Sequence, residues 1–96
     1  MPPELRSSSS KLKSAVETRS NARPLDSAPL RVHLEVVEVD SEPGIRRQLA
    51  LLGIAVGAIL DVQRAAPMSG PILVAVNGSA IAIGRKLAHG IRVRVK

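Results

Sequence analysis

The run from Leu49 to Leu60, LALLGIAVGAIL, has twelve residues without a polar side chain, closed by Arg46, Arg47 and Gln48 before it and Asp61 after it. A helix needs roughly 20 such residues to cross a bilayer, and shorter runs belong to buried cores. The run also stands too far from the N-terminus to serve as the apolar block of a secretory signal. Gly53 and Gly57 divide it. The expected reading is a helix end, a tight turn and a strand start, all feeding one core, in a chain that does not itself span a membrane.

A chain of 96 residues holds one domain at most, and 45% hydrophobic residues supply its core. That core has no Phe, Trp or Tyr. Single-stranded nucleic acid, proline-rich peptides and quaternary ammonium groups are normally held on aromatic faces, so those modes of binding are disfavoured. The chain has no cysteine either, which excludes disulfides, thiolate metal sites and a cysteine nucleophile, and fits a reducing cytoplasm. A formal charge of +6 admits an anionic partner or plain solubility.

Residues 1–23 are serine-rich and basic, with few apolar side chains larger than alanine. They cannot bury enough surface to offset chain ordering, so a disordered tail is expected there, followed by a folded domain over 24–96. From Leu30 the pattern alternates: Leu30, Val32, Leu34 and Val36 on one face, Arg31, His33 and Glu35 on the other. The apolar phase then moves to Val37 and Val39, which predicts a bulge near Val36. Ser41, Glu42 and Pro43 predict a helix start with Ser41 as cap, running to about Leu52 with Ile45, Leu49 and Leu52 inward and Arg46 and Arg47 outward. Gly53 takes the position of a left-handed terminator.

Ala58–Ala65 alternates again, with Leu60 and Val62 inward. The segment 66–71 reads as a loop. Ile72–Val76 and Ser79–Ile83 flank Asn77-Gly78, the dipeptide suited to a two-residue hairpin turn. After at most one helical turn in 84–90, Ile91, Val93 and Val95 close the pattern. The expected fold is mainly β: a small antiparallel barrel of about five strands, with one short α-helix between the first two. Leu73, Ala75, Ile81 and Ala82 make the hairpin apolar on both faces, so that it is either covered or offered to a partner.

The polar residues bear on three kinds of chemistry. A divalent transition-metal site needs about two imidazoles and a carboxylate converging, and the chain offers His33, Glu35 and His89, with Asp61 as a further oxygen donor. Exposed histidines of this kind more often meet adventitious divalent metal, and no resident cofactor is expected. No serine has a local histidine and carboxylate, and no glycine-rich phosphate loop is present, so the chain is not expected to be an enzyme or to take a small-molecule substrate. Arg92, Arg94 and Lys96 line one face of the last strand, with Arg85 and Lys86 upstream. That basic stripe makes nucleic acid, RNA above all, the alternative partner class.

Residues 24–96 resemble the FeoA family. The matching residues are Gly44-Ile45-Arg46-Arg47-Gln48-Leu49, then Leu52-Gly53-Ile54 leading to Val56-Gly57, the segment from Asp61 to Pro67, and Ala82-Ile83-Gly84-Arg85 followed by Ala88. The chain departs from the usual pattern at Pro29-Leu30, where Pro-Gly is usual, at Ser79, where an aromatic is common, and at Gly84, where a basic residue is frequent. The resemblance implies an SH3-like barrel, also found in metal-dependent repressors. It further implies a cytoplasmic accessory role in ferrous iron uptake, and as partner the membrane-bound permease with a GTPase domain, FeoB. The chain would reach the inner face of the plasma membrane through that partner. No catalytic residue is implied. Arg46, Arg47 and Arg64, with Leu73 and Ile81 of the hairpin, are the expected contact residues, and homo-oligomers are left open.

Overall fold

A computed structural model describes residues 21–96. Six strands form one antiparallel sheet that curls on itself: β1 (Arg23–Pro24), β2 (Leu34–Val39), β3 (Ile59–Ala65), β4 (Ile72–Val76), β5 (Ser79–Ile83) and β6 (Ile91–Val95). The order across the sheet is β1-β6-β2-β3-β4-β5. Helix α1 (Pro43–Leu51) joins β2 to β3, and the short α2 (Arg85–His89) joins β5 to β6. β3 is shared: Ile59 and Leu60 pair with β2, while Asp61 to Ala65 pair with β4. Register shifts between Val36 and Glu38 on β2 and between Val62 and Arg64 on β3 bend the sheet into the barrel.

The core is wholly aliphatic, from Leu25 through Leu34, Val36, Leu60, Val74 and Ile91, and no polar residue among those described is buried in it. The alternating positions of β4 and β6 supply it as the period-2 pattern predicts. The Asn77-Gly78 turn has positive φ at both residues, 51° and 78°, the mirror-image geometry that matches strand twist.

The family signature Leu52-Gly53-Ile54 has a specific structural basis. α1 stops at Leu51, and Gly53 adopts φ 95°. The Ile54 N–H then donates to the Leu49 carbonyl (2.8 Å) and the Gly53 N–H to the Ala50 carbonyl (2.9 Å). This is the Schellman pattern of paired bonds closing a helix end, with its accompanying apolar contact supplied by Leu49 and Ile54, both buried.

Four expectations are corrected. The barrel has six strands, because Arg23 and Pro24 pair with Val93 and Arg92 and bring Leu25 into the core; the folded part begins inside the segment read as tail. The rest of that expected tail, 1–20, lies outside the described residues. Leu30–His33 is not strand: Arg31 sits at φ 58°, held by its N–H on the Val62 carbonyl (2.8 Å), and Leu30 is half-exposed. The N-cap of α1 is Glu42, without a side-chain bond, so Ser41 does not cap. Finally, of Ile45, Leu49 and Leu52 only Leu49 is buried, since the Schellman turn directs Ile54 into the core where a longer helix would have placed Leu52.

Candidate partner-binding surface

The polar face of β2 and β6 holds most of the residues considered for metal or nucleic acid. Register places Glu35 opposite Arg94 and Glu38 opposite Arg92. The Arg94 guanidinium donates to the Glu35 carboxylate (2.5 Å), Lys96 Nζ lies 3.9 Å from the same oxygen, and Arg92 lies 4.0 Å from Glu38. Arg92 also donates to the Ala22 carbonyl (3.2 Å). Directly opposed opposite charges of this kind stabilise a sheet modestly and leave little free field for phosphates.

Arg85, expected within the basic stripe, is elsewhere. Its Nε donates to the Gly70 carbonyl (2.9 Å), one terminal nitrogen to the Asp26 carbonyl (3.1 Å) and the other to the Ala66 carbonyl (2.8 Å). One side chain thereby ties the 66–71 loop and the 3-10 turn at Leu25–Ser27 to α2. The bulge on β2 explains why the acidic partners of the stripe escape a simple alternation reading. Strict alternation puts Glu35 and Glu38 on opposite faces, and the extra residue returns Glu38 to the side of Glu35.

The metal candidates do not assemble. His89 Nδ1 is 3.3 Å from Asp26, Glu35 is engaged by Arg94, and Asp61 is contacted by the Gln63 side-chain amide. His33 is exposed, and its carbonyl accepts from the Lys96 N–H (2.9 Å). Among the described residues no three of His, Asp or Glu are grouped as metal ligands would be.

Two concave surfaces are formed among the described residues. One, of about 420 Å³, lies beside α1. Pro43, Arg46, Arg47 and Ala50 recur at helical spacing and form one wall; Ile54, Ala55 and Val56 form the other, with Val39 between. Ala50 is small, which leaves the concavity. Val56 is 68% exposed, and Leu51 and Leu52 beyond it are 82% and 50% exposed. Neither arginine makes an ion pair among the described residues. The second surface, of about 460 Å³, lies on the outer side of β3 to β5, between Arg31, Arg64, Leu73 and Ser79. Ile81, expected to join Leu73 as a contact residue, sits on the inner side opposite Val74 and packs against the core. Leu51 and Val56 were missed as surface residues because an apolar run reads as core.

Comparison with known proteins fits this architecture. The FeoA domain family model matches residues 23–95, nearly the whole described region. The chain belongs to the FeoA family. It is 40% identical over 58 residues to a protein named as an Fe(2+) transport protein A of Methanocaldococcus jannaschii, covering 60% of this chain and 68% of that one. It is similar to the FeoA solution structure from Chlorobium tepidum, with a TM-score of 0.69 and 39% identity over 75% of this chain and 69% of that one. A crystal structure described as an iron uptake regulatory protein (FeoA) matches with a TM-score of 0.66 and 33% identity, over 76% of this chain and 94% of its own length. In FeoA terms, the GIRRQL and LGI–VG motifs build α1 and its groove, and the late Gly84-Arg85 motif builds the three-carbonyl clamp. No helix among the described residues is long and apolar enough to cross a membrane.

Proposed function

We propose that this FeoA-family chain is the accessory protein of a ferrous iron uptake system and acts by docking on the cytoplasmic, GTPase-bearing part of the permease FeoB. The observation that supports the reading is the surface beside α1. Large aliphatic side chains stand exposed next to two arginines without carboxylate partners, within the part of the chain that carries the family motifs. Contiguous apolar surface rimmed by polar groups marks interaction sites on small soluble domains. Fe(II) is the cargo of the partner in this reading, and the chain holds no resident metal and performs no catalysis. It acts on the permease by preferring one of its conformational states, which requires unequal affinity for those states.

Deleting the gene and measuring uptake of radiolabelled ferrous iron under iron limitation tests the proposal. Reduced uptake, restored by the gene in trans, is expected; unchanged uptake overturns it. Nucleic-acid binding is the weaker reading, because the stripe that suggested it is matched by Glu35 and Glu38.

A further inference from the structure

We infer that the groove beside α1 receives a segment of the partner protein that carries aliphatic side chains flanked by carboxylates. The inference rests on the proposed docking function and names the site and the chemistry of its occupant. Apart from Arg46 and Arg47 on α1, the groove is lined only by apolar side chains, those of Val39, Pro43, Ala50, Ile54, Ala55 and Val56. Both arginines are exposed, α1 contains no acidic residue, and no carboxylate pairs with either among the described residues. A planar guanidinium without a partner beside apolar surface is matched by a carboxylate, which it can take in a two-pronged contact.

Charge also excludes the nearer occupants. Residues 1–20 carry Arg6, Lys11, Lys13 and Arg19 against Glu4 and Glu17, a net positive segment that the arginines would repel. A second copy packed groove to groove about a two-fold axis would set Arg46 and Arg47 against their own equivalents. An acidic partner segment meets neither objection. Leu51, the last residue of α1, and its C-cap Leu52 are exposed as well and follow Ala50 of the groove in sequence.

The test is titration of the full chain against the detergent-purified ferrous permease from the same genome, by calorimetry, with variants at exposed positions only. The Arg46→Glu/Arg47→Glu double variant is expected to bind at least about tenfold more weakly, the loss of one to two charge-assisted contacts. Val56→Asn is expected to weaken binding several-fold, and Arg64→Glu, on the other concave surface, to stay within twofold of wild type. Wild-type affinity should fall at least threefold between roughly 50 and 300 mM salt, as for an interface steered by exposed charge. Wild-type affinity in both groove variants, with loss in Arg64→Glu, overturns the groove assignment and leaves the permease as partner. A wild-type chain that shows no binding overturns both this inference and the proposed function.

Discussion

Replacing Arg85 by alanine removes the donor of three hydrogen bonds that join segments far apart in sequence: Asp26, the 66–71 loop and α2. A hydrogen bond from a charged donor contributes about 1.5–3 kcal/mol when its loss leaves a buried partner unsatisfied. The three do not sum here, because Arg85 is only half-buried and the freed loop carbonyls regain water. A net loss of about 2–3 kcal/mol is expected, equal to a fall in Tm of about 10–20 °C for a domain of this size. Arg85→Lys should recover less than half of it, since an ammonium radiates its donors from a single nitrogen and cannot lie along carbonyls on three segments. Urea unfolding followed by far-UV circular dichroism measures the effect; the chain has no Trp or Tyr to report by fluorescence. Hydrogen exchange supplies the local readout: the Ala66 and Gly70 amides, bonded to the Pro71 and Pro67 carbonyls at 3.1 Å, should lose protection first. A loss below about 0.5 kcal/mol for Arg85→Ala, or full recovery by lysine, would refute the clamp.

Gly53→Ala places a side chain at φ 95° and against the Asn77 side-chain amide, so a loss of about 2 kcal/mol is expected in the same melt, while Gly44→Ala, with open space around it, should cost nothing measurable. Ile54→Ala removes the buried partner of Leu49 from the Schellman turn and should cost about 2–4 kcal/mol, whereas Leu51→Ala, three residues earlier but 82% exposed, should stay within about 0.5 kcal/mol of wild type. Wild type should show no saturable RNA binding at micromolar concentration in gel shifts at 150 mM salt, roughly the physiological value. The Glu35→Gln/Glu38→Gln variant, which releases Arg92, Arg94 and Lys96, should acquire weak binding that disappears as salt rises. A proline-rich PxxP peptide should not bind at all by calorimetry, because no aromatic groove exists to take it.

How much of this was legible beforehand depends on whether a residue's role is local. The hairpin at Asn77-Gly78, the bulge near Val36 and the helix stop at Gly53 follow from backbone requirements of single residues, and each stands where the sequence places it. The inward sets of β4 and β6 follow from a period of two. What escaped was set by distant partners. Leu30 and Val32 alternate correctly for a strand, yet the left-handed kink at Arg31 ends that reading, and the kink is fixed by a bond to Val62, thirty-one positions away. Arg85 reads as one more cation of a stripe until the fold brings Asp26 and the 66–71 loop around it. For the candidate site, Arg46 and Arg47 were legible as an outward helix face. The apolar half of the same surface was not: Leu52 shares the face of buried Leu49 by helical period and yet is half-exposed, and the turn that holds Val56 has no period to read.

The distribution of charge sharpens the functional reading. As a bare sum, an excess of positive charge is as consistent with solubility as with a partner. In the fold the cations divide. Arg92, Arg94 and Lys96 are matched by glutamates on the neighbouring strand, and Arg85 is committed to three carbonyls. Arg31, Arg46, Arg47 and Arg64 have no carboxylate within ion-pair distance among the described residues. These four line the two concave surfaces described above. Arg23 and Lys86 are also unpaired and exposed but line neither surface, so the concave surfaces hold four of the six unpaired cations among the described residues. Of the two surfaces, the one beside α1 alone is lined by an exposed aliphatic side chain larger than alanine, Val56, and burial of apolar area contributes more to binding than an exposed ion pair does. The outer face of β3 to β5 offers two guanidinium groups over mainly small side chains, Ala75, Gly78, Ser79 and Ala80, which can steer an anion but bury little against it. Affinity is thus expected from the helix side.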